Sequence, residues 1–472
     1  MKQLHKNISF TALHQLFVTG LAFILVPVAT RYLGAQDYGL YTLATTIGFF
    51  VGLLADLGTS TILTREIAKH PRIASRLFST IITTKIILVL VAVAALLAYL
   101  KVARYDAQTT RVVLVFSISS VLGSFSLAAF GVFRGVQKMQ YEAIGVSGDK
   151  LISVTIGIVL LLVGFGIDYF IWSFVVSSTA LFLYAYGVIY KRILPFELRW
   201  RWSHSKILLG ISMYLGVSAF LSMAYNYLDI LMLSKMSNFE DIGYYSAAYR
   251  ILMVTRIFPT ILATAFLPQF SERRQESQTI AKLFGQGVSY LFMIIFPLVP
   301  ATFVLADPIM VFVCGSDFIV GAPALRILAF AIAAQMLNIF FVPLYVATNH
   351  QNKIVHFQLV GLVVNIGLNL LLIPSLSFVG AAYATVATEV AIFALIYMWI
   401  RKTMGFPLLP TWGTNVKIIV SAAVMMGVVF FVRSLNVHIL GIVVAGLFTY
   451  GLMLFATKAV QVGTLLRMLS HR

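Results

Sequence analysis

Ionisable side chains occur inside the long apolar stretches of this sequence, where they are costly. In a bilayer such residues are rare, and they mark substrate pathways or proton relays. A planar guanidinium suits phosphate oxygens, and a carboxyl in an apolar site binds protons more tightly than in water. The cations are therefore candidate substrate ligands, and the acids are candidates for gating or ion coupling. The residues are Arg256, Arg250, Lys85, Asp56, Asp229 and Glu389.

Asp56 and Lys85 are predicted to lie at matching depth in two antiparallel helices, each about 10 Å from the cytoplasmic end. This placement predicts a structural ion pair, or a Lys85 that extends to the cytoplasmic surface. The functional alternative is a cytoplasm-side gate or a substrate contact. Asp229 and Arg250 form a second predicted pair, near the outer ends of their helices.

Arg256 is predicted to lie about 21 Å from the outer end of its helix, too deep to reach the outer surface. Pro259 follows it and frees a backbone carbonyl, which predicts a distortion there. Arg256 then either pairs with Glu389 or faces a wet cavity, where it would bind a diphosphate. Glu389 is correspondingly either a counter-ion or a protonatable coupling acid.

Primary amides also recur in the apolar stretches. Interhelical hydrogen bonding is the usual role of such side chains in membranes. We expect that role here in preference to sugar binding. The residues are Asn226, Gln335, Asn338, Asn365 and Asn369.

The elements that carry these residues are predicted from composition. Hydrophobic residues make up 60% of the 472 residues and charged residues 11%, against about 25% charged in soluble domains. The chain contains about fourteen apolar runs of roughly 20 residues, the length of a transmembrane helix. The runs do not alternate as barrel strands do. We therefore expect an all-α integral membrane protein with about 14 transmembrane helices.

The basic residues predict the orientation of the helices. The net charge is +18, and roughly 24 cations fall in loops on the side of the N-terminus against roughly 7 on the other side. Both termini are thus expected in the cytoplasm. No basic stripe interleaved with aromatics is present, which argues against nucleic-acid binding. A single cysteine and scattered histidines indicate no metal site, and we expect no cofactor.

The chain contains an internal repeat. Residues 35–41 (AQDYGLY) match residues 239–245 (FEDIGYY) at an offset of about 204 residues, which equals six spans and keeps both copies in one orientation. Such parallel repeats place a substrate site between two halves. Asp37 and Asp241 are expected to cap the helices that follow.

The repeat divides the chain into three predicted parts. Residues 1–200 form an N-terminal lobe of six helices, and residues 201–405 form a second, pseudo-symmetric lobe of six helices. Residues 406–472 add two C-terminal helices. Every loop is short, so no separate extramembrane domain is expected.

Three segments carry a resemblance to a known family. Residues 31–41 (RYLGAQDYGLY), 55–58 (ADLG) and 64–68 (TREIA) resemble the N-terminal pattern of the polysaccharide (O-antigen type) flippases. These belong to the multidrug/oligosaccharidyl-lipid/polysaccharide exporter superfamily, which includes the MATE transporters. The resemblance implies a MATE-like fold of two six-helix lobes around a central cavity that opens by alternating access.

The same resemblance implies a substrate and partners. The substrate would be an oligosaccharide linked to an undecaprenyl-diphosphate-type lipid, moved across the inner membrane for cell-surface polysaccharide biosynthesis. Membrane lipids, a polysaccharide polymerase and glycosyltransferases are the implied partners. No ATP-binding P-loop is present, so H⁺ or Na⁺ coupling is one expected energy source.

Two other functions are weighed against this one. A cation-coupled multidrug antiporter of the same superfamily would favour an acidic interior, yet the interior cations equal the interior acids in number. A membrane polysaccharide polymerase or ligase needs catalytic groups on a large outer loop, and the outer loops here are short. We therefore expect a transporter and not an enzyme.

Overall fold

The computed structural model describes residues 2–195, 202–273, 277–350, 352–404, 412–435 and 437–459. Within these ranges the regular structure is helical, without strands. The chain forms two compact units, Met1–Ser246 and Ala247–Arg472. The predicted lobe boundaries at 200 and 405 stay a prediction.

The first unit is built from helices that run back and forth with short connections. A 3₁₀ turn, Pro71–Ile73, joins the second helix to the third. The helices are α1 (Lys2–Asp56), α2 (Thr59–Lys69), α3 (Ala74–Ala103), α4 (Ala107–Gly135), α5 (Met139–Leu162), α6 (Ile167–Phe170), α7 (Trp172–Arg192), α8 (Trp202–Met236) and the first half of α9 (Phe239–Met253).

The second unit continues from α9 through a 3₁₀ turn, Val254–Arg256. A second 3₁₀ segment, Ser316–Gly321, separates two of its long helices. The helices are α10 (Ile257–Glu272), α11 (Ser277–Cys314), α12 (Ala322–Ala347), α13 (Asn352–Met404), α14 (Trp412–Ser434) and α15 (Ile439–Ala456).

The described residues contain 12 helical segments that are long and apolar enough to cross a membrane. Two of them, Phe17–Lys69 and Asn352–Thr403, have 53 and 52 residues, whereas one crossing needs about 20. Each is interrupted by a left-handed residue, Gly34 (φ 71°) in α1 and Ser377 (φ 48°) in α13. When each is counted as two crossings, the total is the predicted fourteen.

Aromatic side chains hold the helices of the second unit together. Phe284 of α11 stacks on Phe341 of α12, with ring centroids 5.2 Å apart. Phe340 meets Phe266 of α10 edge-on at 5.5 Å. Packed aromatic pairs of this kind contribute more than their buried area alone. They fix α10, α11 and α12 into a frame that positions the polar residues of α12.

Candidate functional site

The first long helix is broken at its charged residue. Leu57 (φ 42°) and Gly58 (φ 77°) adopt left-handed backbone conformations, which end α1 at Asp56 and let α2 begin at Thr59. Glycine reaches this conformation without a steric cost. The break leaves backbone carbonyls of α1 and amides of α2 without helical partners, in a span that hydropathy predicts as continuous.

Lys85 of α3 reaches this break. Its Nζ lies 2.5 Å from Asp56 Oδ1 and 3.5 Å from the carbonyl oxygen of Ala55. Thr59 donates a hydrogen bond to the same carboxylate oxygen at 3.3 Å, and so does Ser60. Lys85 is 0% exposed, so the predicted ion pair is confirmed and the surface-seeking alternative is wrong. Whether the pair gates transport stays a prediction.

The position of Lys85 also limits its chemistry. The ammonium lies at the C-terminal end of α1, where the helix dipole is negative and favours a cation. Its strongest partner, the Asp56 carboxylate, is buried beside it. Lys85 can therefore contact an anionic substrate only if this pair opens first.

Asp229 lies near the end of α8 and is buried. It accepts a hydrogen bond of 2.7 Å from the hydroxyl of Tyr245, the last residue of the second repeat segment. Arg250 lies five residues further along α9, half-buried, in the second unit. The predicted pairing of Asp229 with Arg250 stays a prediction.

The two repeat segments contact each other within the first unit. Gly39 of α1 packs against the carbonyl oxygen of Phe239, so closely that an added Cβ would overlap it. Gly243 of α9 packs in the same way against the carbonyl oxygen of Ala35. Ala35 and Phe239 are equivalent in the repeat, as are the glycines, so the contact is reciprocal. We call these four residues the glycine junction.

The cap of α9 differs from the expectation. The backbone N–H of Asp241 donates to Asn238 Oδ1 at 2.8 Å, so Asn238 caps the helix. Asp241 lies three residues inside and accepts a hydrogen bond from the hydroxyl of Ser237. The assignment of the cap to Asp241 is wrong by one turn, because Asn and Asp both suit this position and the sequence offers both.

Arg256 ends the 3₁₀ turn between α9 and α10, three residues before the buried Pro259. The predicted distortion is thus present, and short 3₁₀ stretches inside long helices often mark hinges. The Arg256 side chain is half-buried. With the residues that the structure describes, its guanidinium makes no hydrogen bond or ion pair.

Glu389 of α13 is held by amides, and its predicted pairing with Arg256 is wrong. Gln335 Nε2 donates to Glu389 Oε1 and Asn338 Nδ2 donates to Oε2, both at 2.8 Å. The Glu389 residue is 3% exposed. The predicted interhelical role of Gln335 and Asn338 is confirmed. Their partner was missed because the rotation of α12 against α13 decides which side chains meet, and the sequence pattern does not give that rotation.

The other amides show contacts within their own helices. Asn369 donates to Asn365 Oδ1 at 2.9 Å, one turn away on α13. Asn226 donates to the carbonyl oxygen of Ser222 at 2.6 Å on α8. Among the described residues, no three His, Cys, Asp or Glu side chains come together as metal ligands.

Known proteins share this fold. The lipid II flippase MurJ, in an inward closed conformation, superposes with a TM-score of 0.79 at 16% identity, covering 94% of this chain and 98% of that one. A MATE multidrug resistance transporter of the MOP superfamily, in an inward-facing conformation, gives 0.61 at 15% identity, covering 82% and 94%. The chain therefore has the all-α membrane fold of this superfamily.

Curated relatives match over most of the chain. The probable low-salt glycan biosynthesis flippase Agl15 of Haloferax volcanii is 23% identical over 94% of this chain and 92% of its own length. The succinoglycan biosynthesis transport protein ExoT of Rhizobium meliloti is 22% identical over 70% and 66%. A family model described as "Polysaccharide biosynthesis protein" matches residues 4–274. That segment is more than half of the chain, so the chain belongs to the polysaccharide biosynthesis protein family.

Proposed function

We propose that this protein is a flippase for cell-surface polysaccharide biosynthesis. It moves an oligosaccharide linked to an undecaprenyl-diphosphate-type lipid from the cytoplasmic to the outer leaflet. Membership of the family supports this proposal, as do relatives named as flippases or transport proteins of glycan synthesis along most of the chain. Glycosyltransferases would supply the substrate, and a polysaccharide polymerase would consume it.

Arg256 is the observation that carries the choice of substrate. A guanidinium in an apolar helix is costly unless an anion or water satisfies it. Arg256 is half-buried at a helix distortion and makes no polar side-chain contact with the described residues. A diphosphate offers planar, charge-assisted hydrogen bonds to such a group. Arg250, also half-buried, is the second proposed ligand, and Lys85 becomes a third only when its pair with Asp56 opens.

Alternating access is the proposed mode of transport. The glycine junction supports it, because two repeat segments meet through backbone surfaces that carry no side chain to lock them. Asp56 and Asp229 are the proposed gating acids, and Glu389 the proposed coupling acid. We place the protein in the inner membrane with both termini in the cytoplasm, driven by H⁺ or Na⁺.

The multidrug alternative has weaker support. The similar MATE structures share the fold at 15% identity, whereas the family match and the relatives named above concern glycans. Interior cations are poor ligands for cationic drugs. The polymerase alternative gains no catalytic cluster from the geometry of the described interior acids.

Arg256→Gln tests the proposal directly. We expect the initial rate of flipping in proteoliposomes to fall about 10- to 100-fold, the equivalent of one charged hydrogen bond. Arg256→Lys should flip substrate at a rate between those of the unsubstituted protein and Arg256→Gln, because an ammonium keeps the charge but lacks the planar guanidinium that forms paired hydrogen bonds. The rate is measured as the appearance of a fluorescent lipid-linked oligosaccharide at the side accessible to an added glycosidase.

Arg72→Gln is the matched control, because Arg72 is an exposed arginine on the 3₁₀ turn before α3. It should flip substrate at the unsubstituted rate. If Arg256→Gln does the same at equal reconstituted density, Arg256 is not a ligand and the diphosphate assignment fails.

A further inference from the structure

Three polar residues form a hydrogen-bonded group inside the second unit. Gln335 and Asn338 lie three residues apart on α12, and hence on one face of the helix. Glu389 faces them from α13. Gln335 is 5% exposed and Glu389 3%. We call this group the amide clamp.

The clamp contains unused hydrogen-bond acceptors. Both amide nitrogens donate to the Glu389 carboxyl group. The carbonyl oxygens, Gln335 Oε1 and Asn338 Oδ1, are buried without a hydrogen-bond partner. Buried polar atoms are normally satisfied, so each exception asks for an explanation. The unpaired oxygens are explained if the site has a second state in which one of them accepts a hydrogen bond.

Protonation of Glu389 provides that partner. A primary amide carries donors on one side and an acceptor on the other, so half a turn exchanges them. An ionised carboxyl can accept both amide hydrogen bonds of the clamp. A protonated one has an O–H that must donate, and a turned Gln335 would present its Oε1 as the acceptor. The carboxyl keeps two amide hydrogen bonds in both states.

The two amides are not equivalent. Asn338 Nδ2 also donates to the backbone carbonyl of Glu389 at 3.1 Å, which anchors it in the donating orientation. The amide of Gln335 has the carboxylate as its hydrogen-bond partner in the described structure. Gln335 is therefore the side chain that turns, and Asn338 the one that stays.

Charged and titratable groups around the clamp are few on the two helices that form it. On α12, the guanidinium of Arg326 lies 2.5 Å from a carboxylate oxygen of Asp307. The ring of Tyr345 packs on that of Trp399, with centroids 4.9 Å apart. On α13, Tyr383, Tyr397 and Glu389 all lie after the break at Ser377. The 3₁₀ turn that packs on α12 carries Arg256. The other elements that pack on α12 carry Glu272 on α10, Lys282, Tyr290 and Cys314 on α11, and Asp317 on the second 3₁₀ segment. Arg250 lies on α9, and Lys353, His356, Arg401 and Lys402 lie towards the ends of α13.

We propose that the amide clamp is the proton-binding site of this carrier. Glu389 takes one proton from water and returns one to water in each cycle, and the turn of Gln335 accommodates both forms. The coupling step rests on the proposed flippase function. Proton uptake by Glu389 does not, so it can be tested separately.

Infrared difference spectroscopy of the reconstituted protein tests proton uptake. On a step from alkaline to acidic pH, we expect a carboxylic acid C=O band that is lost in Glu389→Gln. In Gln335→Leu the band should shift in frequency, because its acceptor is removed. Glu142→Gln, an acid paired with Arg134 outside the clamp, is the control and should keep the band. Identical spectra for Glu389→Gln and the unsubstituted protein would overturn the proposal.

Transport under a pH gradient tests the coupling. The gradient should accelerate flipping by the unsubstituted protein, whereas Glu389→Gln should flip at one rate with or without it. Flipping that responds to a sodium gradient alone would overturn the inference and leave the flippase function standing. A lack of any flipping, together with a Glu389-dependent infrared band, would overturn the function and keep the proton site.

Discussion

At the scale of single residues, Lys85 has exchanged all of its water for protein contacts. Removing both charges of a pair from water is expensive, and the attraction between them only about offsets that cost. The ammonium of Lys85 and the hydroxyls of Thr59 and Ser60 all donate to one oxygen of the Asp56 carboxylate, Oδ1. The pair therefore specifies where α1 ends, and the loss of either partner alone is far worse than the loss of both.

Lys85→Met should destabilise the protein by about 3–5 kcal/mol, because it leaves a buried carboxylate without its cation. The double variant Lys85→Met with Asp56→Asn should recover much of this loss. Thermal unfolding in detergent, followed by tryptophan fluorescence, measures both.

Arg111→Met provides the comparison, because Arg111 and Asp168 form an exposed pair with 63% and 39% of their side chains accessible. Its cost should be about 0–1 kcal/mol. Equal unfolding temperatures for Lys85→Met and Arg111→Met would show that the buried pair has no structural role.

At the scale of helices, interruptions place the polar groups. Asp56 lies at a break and Arg256 at a 3₁₀ turn. Pro259 made the second interruption predictable from sequence, since proline removes a backbone donor. The break after Asp56 depends on two consecutive left-handed residues, Leu57 and Gly58. Of these, only Gly58 is of a residue type that indicates such a break in the sequence. Interrupted helices are a known device for exposing backbone groups at membrane depth.

Gly39→Ala should open the glycine junction, because its Cβ would occupy the position of the Phe239 carbonyl. Backbone cannot yield as a flexible side chain does, so the helices must separate. Spin labels at the exposed Gln36 and Glu240, in a Cys314→Ser background, should report a longer distance by electron paramagnetic resonance.

Gly20→Ala is the control on the same helix, since an added Cβ there meets no atom within 4 Å. It should leave the label distance unchanged. If Gly39→Ala also leaves it unchanged, the junction tolerates a methyl group and does not govern separation.

At the scale of the whole molecule, hydropathy predicted the crossings well, because the thickness of a bilayer fixes the length of each apolar run. The depths of Asp56 and Lys85 in the membrane were estimated from the rise per residue of a helix, and their equal depths predicted the ion pair correctly. Glu389 could not be placed this way, because its partners depend on how α12 and α13 rotate against each other. Hydropathy carries no information on that rotation.

The predicted orientation can be checked with the same cysteine-free background. We expect a membrane-impermeant thiol reagent to label Val102→Cys, at the exposed end of α3, in intact cells. Lys191→Cys, at the end of α7, should react only after permeabilisation. The reverse pattern would place the termini outside and contradict the charge bias.

The reciprocity of the glycine junction also bears on the ancestry of the chain. A surface that meets its own copy through equivalent residues is the hallmark of a two-fold symmetric dimer. The arrangement of Gly39 on Phe239 and of Gly243 on Ala35 is what duplication and fusion of such a dimer would leave behind. In a dimer of the ancestral half, one glycine position in the sequence would have formed both contacts. In the fused chain the two contacts depend on two separate positions, so a mutation at either glycine disrupts only one of them.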